Sequence, residues 1–175
     1  VNGHLKVADS TVADNSAASF GYSEVYAMGL FAPSLELVRS TISGSDTDSL
    51  ALITQGSHCT PFGCAMWPSV VASGSIITGG SGKQVCNKPL TSDSSFILSP
   101  DPAANCGPSL PGTGALAPLA NNGGPTATKL PLPGSGAQNV IPIGTPGLCD
   151  PQGSYDQRGV IRPVGPACDV GAVEQ

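Results

Sequence analysis

The sequence predicts an all-β protein built as a parallel β-solenoid, and three observations support this fold class. Gly (23 residues) and Pro (17 residues) are abundant, which disfavours long helices and favours short strands joined by tight turns. Aromatic residues make up 5% of the chain, so the core must come mainly from aliphatic side chains. A strand-like pattern recurs about every 30 residues without helical periodicity, which is typical of a solenoid.

The recurring pattern consists of two apolar alternations separated by a bend rich in small hydroxyl residues. It is found in LKVADSTVADNS from Leu5, LELVRSTISGSD from Leu35 and SVVASGSIITGG from Ser69. In a solenoid, aligned residues of successive coils lie about 4.8 Å apart. The alignment predicts inward rows of Leu5 with Leu35, of Val7 with Leu37 and Val71, and of Val12 with Ile42 and Ile76.

Residues that face outward in this alignment carry complementary charges. Lys6 is placed on Glu36 and Asp9 on Arg39, and each such pair stabilises neighbouring strands modestly. A sandwich of unrelated strands is the alternative architecture, and it would seldom produce two such pairs. The sequence therefore favours stacked parallel strands.

The chain divides into two parts of different composition. Residues 1–99 contain the repeats, whereas 13 of the 17 prolines lie from Pro100 onward. Residues 100–175 are rich in turn-forming pairs but also contain two strand-like stretches, NVIPIG and GVIRPV. We expect an ordered, loop-rich segment that caps the last coil, because that coil would otherwise expose its strand edge and apolar rows.

Six cysteines lie at positions 59, 64, 86, 106, 149 and 168. An even number without a CxxC motif indicates three disulfides formed in an oxidising compartment, and the spacing does not fit the paired ligands of a zinc finger. Order along the chain suggests the pairs Cys59–Cys64, Cys86–Cys106 and Cys149–Cys168, although other connectivities are compatible with the sequence.

The charge pattern and hydropathy limit the kinds of partner. The net charge is −5 and the seven Lys and Arg residues are scattered, which does not suit nucleic acid. No apolar run reaches the roughly 18 residues of a membrane-spanning helix, so we expect no transmembrane segment in this chain. No signal peptide is recognisable in the first residues, VNGHLKVADS, and we expect a mature or trimmed product.

Several motifs resemble those of a known family. The stretches LAPLANNGGPTATKLPLPGS, DQRGVIRP and CDVGAVE look like the C-terminal signature of bacterial surface β-helix proteins of the choice-of-anchor Q domain type, which are related to polymorphic outer-membrane repeats. STVADN and STISGS resemble the coil motif of these proteins. The resemblance implies a right-handed parallel β-helix of pectate-lyase-like architecture, located at the cell surface or beyond. Two departures are Lys129, where family members usually carry His, and SGAQN at 135–139.

Charged residues near the C-terminus form a conspicuous group: Asp156, Arg158, Arg162, Asp169 and Glu174. In principle they could form a catalytic cluster. The simpler interpretation is that the two arginines bridge acids and backbone carbonyls, which would fix a strandless segment with Cys149–Cys168 as a staple. We expect the structural role and assign no catalytic residue.

The enzymatic alternative for this fold is a polysaccharide lyase or a glycoside hydrolase. A lyase needs a base and clustered acids that hold Ca²⁺, and the one acid expected to face the usual groove is Glu24. A glycoside hydrolase needs two carboxylates facing one cleft, and no pair stands out. Hydrolysis by a Ser–His–acid arrangement has only His4 and His58 available, without a Gly-x-Ser-x-Gly motif. We therefore favour a non-enzymatic module without cofactor or metal.

A binding stripe is predicted in the strand GYSEVYAMG. With Val25 inward, alternation places Tyr22, Glu24 and Tyr26 in an outward row, which suits sugar stacking, hydroxyl recognition or a protein interface. Trp67 follows the CTPFGC loop and could extend this aromatic surface. These residues are the predicted ligand-binding residues, with a surface polysaccharide or a protein as partner.

The function predicted from the sequence is a secreted or cell-surface module with a structural, adhesive or glycan-contacting role. The first coil begins partway round, so Leu5 and Val7 should lie at an open edge. This edge predicts head-to-tail self-assembly, as a filament subunit, or a fragment of a longer solenoid.

Overall fold

The computed structural model describes residues 4–14, 34–44, 50–52, 57–60, 63–66, 69–79, 84–86, 89–100 and 106–175. All elements of regular structure named in these residues are β-strands, which confirms the all-β class. Their bounds are β1 His4–Ala8, β2 Thr11–Ala13, β3 Ser34–Val38, β4 Thr41–Ser43, β5 Leu50–Leu52, β6 Ser57–Thr60, β7 Gly63–Met66, β8 Ser69–Ser73, β9 Ile76–Thr78, β10 Gln84–Cys86, β11 Ser154–Tyr155 and β12 Ile161–Arg162.

Two three-stranded parallel sheets contain the repeated segments, with the strand orders β1-β3-β8 and β2-β4-β9. Leu5 pairs with Leu35 in the first sheet, as predicted from the first two repeats. Val12 likewise pairs with Ile42 in the second sheet. Each repeat contributes one strand to each sheet, so the repeats form three stacked levels: level 1 (β1–β2), level 2 (β3–β4) and level 3 (β8–β9).

The bend between the two strands is built in the same way in all three levels. A residue with left-handed backbone comes first and a serine follows it: the pairs are Asp9–Ser10, Arg39–Ser40 and Gly74–Ser75. The serine hydroxyl donates to the carbonyl oxygen two residues earlier, at 2.7, 2.9 and 3.0 Å. Left-handed backbone is costly for a residue other than glycine, so these bonds must hold it in place.

The third repeat lies one residue away from its predicted alignment. Val71 and Ile76 were expected in the rows of the second repeat, but Ala72 and Ile77 occupy those positions. The reason is the bend, because Gly74 takes the left-handed position and so fixes the register of the strands around it. The register prediction for Val71 and Ile76 is therefore wrong.

The described strands do not close into solenoid coils, so the prediction of a right-handed parallel β-helix is wrong. Besides the two three-stranded sheets, β5 and β10 form a separate parallel pair, and β6 and β7 form an antiparallel hairpin. This hairpin lies between levels 2 and 3 in the chain and interrupts the period. Residues 106–175, here called the C-terminal segment, consist mainly of turns and isolated bridges around the short β11–β12 pair. The described architecture is an all-β assembly of small, separate sheets.

Two apolar clusters hold this assembly together. The first lies between the stacked strands and includes Leu35, Leu37, Ile42, Val70 and Ile77. The second joins the strands to the C-terminal segment, and includes Val38, Ile76, Leu98, Ile141, Leu148 and Val170. Ile76 and Ile77 are both fully buried, because neighbouring residues of β9 serve different clusters.

The C-terminal segment reaches all three levels along their side. Thr11 Oγ1 of level 1 donates to Gln157 Oε1 at 2.7 Å. The Ala172 N–H donates to Thr41 Oγ1 of level 2 at 3.0 Å. The Gly171 N–H donates to the bend carbonyl of level 3 at 2.8 Å. The described segment thus runs beside the levels, which differs from the cap over the last coil that the sequence predicted.

Two disulfides have the predicted pairing. Cys86–Cys106 ties β10 to the start of the C-terminal segment, and Cys149–Cys168 lies within that segment, in the second apolar cluster. In the β6–β7 hairpin, Cys59 and Cys64 are direct partners in the backbone register. The side chains of that hairpin fall outside the described part of the structure, so the Cys59–Cys64 disulfide stays a prediction.

Candidate functional site

The predicted charged residues near the C-terminus do come together, and we call them the C-terminal charge cluster: Asp156, Arg158, Arg162, Asp169 and Glu174. The β11–β12 hairpin places the first three, with Arg162 on β12 and the others in the turn between the strands. The strand-like stretch GVIRPV does contain a strand, so the segment is not strandless as the structural interpretation assumed. Four of the five residues are buried, and Arg158 is half-buried.

The Arg162–Glu174 ion pair forms the centre of the cluster. Arg162 Nη1 donates to Glu174 Oε2 at 2.8 Å, and both side chains are 0% exposed. The same guanidinium donates to the carbonyl oxygens of Asp169 (3.1 Å) and Gly171 (2.7 Å). Burial lowers the pKa of Arg162, and the negative charge of Glu174 opposes this effect. The arginine therefore holds two backbone carbonyls and one carboxylate, as the structural interpretation expected.

Asp156 organises the turn of the hairpin. Its Oδ1 accepts hydrogen bonds from the Arg158 N–H (2.7 Å) and the Val160 N–H (2.9 Å), and its Oδ2 accepts from the Glu174 N–H (2.9 Å). Arg158 Nη2 pairs with Oδ2 at 2.8 Å and also contacts the Glu174 carbonyl oxygen. Burial alone would raise the pKa of Asp156, but these hydrogen bonds outweigh it and leave the pKa lowered.

Asp169 and Glu174 bind further backbone N–H groups. Asp169 accepts from the N–H groups of Asn139 (2.7 Å) and Gln175 (2.8 Å), one on each oxygen. Glu174 Oε1 accepts from Val164 at 3.1 Å, and Oε2 accepts from the Asp169 N–H at 3.0 Å. Burial raises the pKa of Asp169, and the nearby negative charge of Glu174 adds to this effect.

The chemistry of the cluster follows from how its oxygens are used. Both oxygens of each of its three carboxylates accept hydrogen bonds from the protein itself. A general acid or base must face a substrate within hydrogen-bonding distance. These groups instead face backbone N–H groups and arginines, so the arrangement fixes the chain conformation.

A second polar group lies on the outer face of the first sheet, across β1 and β3. His4 Nδ1 lies 2.7 Å from Ser34 Oγ, and His4 Nε2 lies 3.1 Å from Glu36 Oε2. Lys6 Nζ donates to Glu36 Oε1 at 3.0 Å, and this hydrogen bond is the main reason that the pKa of Glu36 is lowered. Because a carboxylate only accepts, Nε2 donates to Glu36, and a neutral ring then accepts the Ser34 proton at Nδ1.

The chain of hydrogen bonds from Ser34 through His4 to Glu36 was not predicted from the sequence. His4 was considered for a Ser–His–acid arrangement without its partners being identified, and the structure shows that His4 is exposed. Its partners lie 30 and 32 residues further on, and the parallel register of β1 with β3 brings them beside it. The same alignment that predicted Lys6 on Glu36 contained this signal.

An exposed apolar pair lies on the outer side of the β11–β12 hairpin. Tyr155 and Ile161 are direct partners across the two strands, with 66% and 54% of their surfaces exposed. Arg162, next to Ile161, is buried in the charge cluster. The hairpin thus has one buried charged side and one exposed apolar side.

Two further ion pairs involve the levels: one joins level 2 to level 1, and the other joins the C-terminal segment to the end of level 1. Arg39 binds both oxygens of Asp9, at 2.7 and 2.6 Å, and also contacts the Gly147 carbonyl oxygen. The Asp9 hydrogen bond raises the pKa of Arg39. Lys129 donates to Asp14 Oδ1 at 2.8 Å and to Ser43 Oγ at 3.2 Å. The charge match of Asp9 with Arg39 was visible in the repeats, whereas no local signal paired Lys129 with residues 86 or more positions away.

The predicted ligand-binding residues Tyr22, Glu24, Tyr26 and Trp67 lie outside the described residues. The stripe that they were expected to form therefore stays a prediction. Within the described residues, no three His, Cys, Asp or Glu side chains are arranged to hold a metal ion. The described residues also include no helix of the length and apolarity needed to cross a membrane.

Comparison with known proteins gave no match for this chain. No protein-family model, no curated protein sequence and no solved structure is similar enough to count as one. The family resemblance of the C-terminal motifs therefore stays a prediction.

Proposed function

We propose that this protein is a non-enzymatic, secreted or cell-surface module with a structural and adhesive role, which contacts glycans through the exposed side of the β11–β12 hairpin. The two disulfides support an oxidising location, since such bonds persist mainly in secreted and surface proteins. The commitment of the buried charges to internal contacts supports a structural role for the rest of the C-terminal segment.

The exposed Tyr155–Ile161 pair carries the proposal. An aromatic ring that is 66% exposed offers a flat apolar face and a phenolic hydroxyl, which suit the C–H face and the hydroxyl groups of a sugar. Tyr also loses little conformational entropy on binding, because it has only two side-chain torsions.

The hairpin presents this pair in a fixed orientation. On the buried side of the hairpin, Arg162 is held by Glu174 and by two backbone carbonyl oxygens. Asp156 holds the turn between the two strands. A ligand therefore does not have to order the loop on binding, and such preorganisation improves affinity. A polysaccharide with repeated sugars would be bound more tightly still, because many copies of the module could bind it at the same time.

A glycan array with the purified protein tests the proposal. We expect Tyr155→Ala to remove most of the array signal while leaving the thermal unfolding midpoint almost unchanged, because the ring is exposed. Ile143→Ala is the matched control, since Ile143 is also about half exposed but lies elsewhere in the C-terminal segment. An unchanged glycan profile for Tyr155→Ala, or the absence of any glycan signal for the native protein, would contradict it.

A second candidate function is ester hydrolysis, which the Ser34–His4–Glu36 chain of hydrogen bonds favours. In such a chain, His4 would take the proton from the Ser34 hydroxyl as that oxygen attacks the acyl carbon, and would return it to the alcohol that leaves when the ester C–O bond breaks. Water would then hydrolyse the acyl-serine, with Glu36 orienting the ring. Turnover of p-nitrophenyl acetate at a rate above that of Ser34→Ala would support this function. Equal rates for the two proteins would exclude it.

A further inference from the structure

We infer that the outer edge of β1 binds an extended segment of another protein by parallel strand addition, and that this segment carries an acidic residue flanked by apolar residues. The inference concerns a different surface from the proposed glycan site and does not depend on it. It rests on the exposure of an apolar row, the position of β1 in its sheet and the charges along that edge.

The apolar row that begins at Leu5 is incomplete on one side. Leu35 and Val70, the next members of the row, are 2% and 1% exposed, whereas Leu5 is 54% exposed. All three occupy equivalent positions in their strands, so the difference comes from their place in the stack. A further strand on β1 would cover Leu5 as β1 itself covers Leu35.

Among the described strands, none pairs with the outer edge of β1. Within the described strands β3 pairs on both sides, with β1 and β8, whereas β1 pairs only with β3. An edge strand offers its free N–H and C=O groups to an added strand. Because β1 and β3 are parallel, the most direct continuation of the sheet is a parallel strand with apolar residues beside Leu5 and Val7.

The charges along the edge select the chemistry of the added strand. Lys6 is exposed, and its ammonium group has three donors, of which the structure shows one bound to Glu36. A carboxylate on the added strand would face Lys6 from the side opposite Glu36. A second copy of β1 is disfavoured because β1 contains no acidic residue, and antiparallel pairing centred on Leu5 would set His4 instead of a carboxylate opposite Lys6 of the other copy.

The chain itself contains a segment with the required pattern, which serves as the probe. SLELVRSTIS, residues 34–43, already pairs with level 1 from one side through Leu35, Glu36 and Leu37. We would measure binding of this synthetic peptide to the native protein by fluorescence anisotropy. The matched control peptide is SLKLVDSTIS, which has the same apolar residues and reversed charges.

We expect SLELVRSTIS to bind at least fivefold more tightly than SLKLVDSTIS at low salt, and the difference to shrink as salt is added. Leu5→Arg should weaken binding at least tenfold, while Ile143→Arg, a change at an equally exposed apolar residue, should have no effect. Hydrogen exchange should show new protection of β1 amides with β3 amides still protected, which distinguishes addition from displacement of β3.

Several results would overturn the inference. These are equal affinity for the two peptides, no binding of either at millimolar concentration, or loss of β3 protection on binding. Concentration-dependent dimers that Leu5→Arg dissociates would show that a second copy occupies the edge instead. If Leu5→Arg does not fold, Lys6→Ala gives the decisive comparison, because it removes the charge that faces the acidic residue and should reduce the preference between the peptides; an unchanged preference would overturn the inference.

Discussion

The stacked levels and the C-terminal segment are both ordered, but they satisfy their backbone polar groups in different ways. In the levels, neighbouring strands bond to each other in regular parallel register. In the C-terminal segment, strand pairing is short, and the carboxylates of Asp156, Asp169 and Glu174 accept backbone N–H groups directly. Buried charge here replaces the ladder that a sheet would supply.

Composition explains why the two regions differ. Thirteen of the 17 prolines lie from Pro100 onward, and proline cannot donate a hydrogen bond to a strand ladder. A proline-rich segment must therefore find other partners for the carbonyls and N–H groups that it buries. Arginine and carboxylate side chains supply several donors or acceptors each, so a few of them can serve many backbone groups.

Removing the centre of the charge cluster should have the largest effect. Arg162→Met leaves Glu174 buried without its partner, and breaking such a pair costs about 3–5 kcal/mol of unfolding free energy. Urea unfolding measures this loss. The double variant Arg162→Met with Glu174→Gln should recover part of it, and an Arg162→Met protein as stable as the native one would show that the cluster does not hold the segment.

The disulfides allow a comparison of the two regions at nearly constant loop length. Cys149–Cys168 and Cys86–Cys106 close loops with separations of 19 and 20 residues, so the chain-entropy model gives about 3 kcal/mol for each. We expect the Cys149→Ala/Cys168→Ala variant to lose about this amount in urea unfolding under non-reducing conditions. A loss well below that of the Cys86→Ala/Cys106→Ala variant would indicate that the charge cluster alone fixes the C-terminal segment.

Arg39 connects the two regions, and its replacement should have an intermediate effect. Arg39→Lys keeps the charge but cannot bind both oxygens of Asp9 and the Gly147 carbonyl together. We expect a loss of about 1.5–3 kcal/mol, the usual worth of a charged hydrogen bond. Combining it with Asp9→Asn should cost less than the sum of the single changes, and additive losses would argue that the two side chains act independently.

The pH dependence of stability should show the smallest effect, with opposite contributions from two buried acids. The pKa of Asp156 is lowered in the folded state, so its stabilisation is present above the ordinary value of 3.8 and is lost as the pH falls through the lowered value. The pKa of Asp169 is raised, so its favourable contribution is present below 3.8 and is lost as the pH rises through the raised value.

Urea unfolding between about pH 6 and pH 2.5 separates the two contributions. Asp156→Asn should reduce the loss of unfolding free energy at acid pH. Asp169→Asn should remove the small increase in unfolding free energy that accompanies mild acidification. Identical profiles for native protein and Asp156→Asn would contradict the lowered pKa of Asp156.

The predictions from sequence succeeded where a pattern repeats and failed where a single residue or a distant contact decides. The pairing of Leu5 with Leu35 and of Lys6 with Glu36 followed from alternation in two similar segments. The third segment was misaligned because hydropathy alone could not show that Gly74 takes the bend. That position needs left-handed backbone, so the glycine was the better guide to register.

The closed coil was predicted from the same repeats, and it was wrong because the repeats describe only part of each period. The antiparallel β6–β7 hairpin lies inside one period, and the three aligned segments carried no signal for it. The roles of the C-terminal charges were predictable from residue type alone, since buried arginines and acids generally pair. Their individual partners were not, because Arg162 and Glu174 meet through a turn that only tertiary packing defines.

The way the cations are used bears on how this protein would withstand digestion. Trypsin-like proteases cleave after Lys and Arg, and they require several residues of extended, accessible chain around the scissile bond. Of the seven such residues in the chain, Arg39, Lys129 and Arg158 are 12–14% exposed, and each is held in an ion pair. Arg162 is fully buried and also precedes Pro163, a bond that such proteases do not cleave. The contacts that replace a sheet in the C-terminal segment thus also conceal its cleavage sites, which would prolong the lifetime of a protein exposed to the proteases outside a cell.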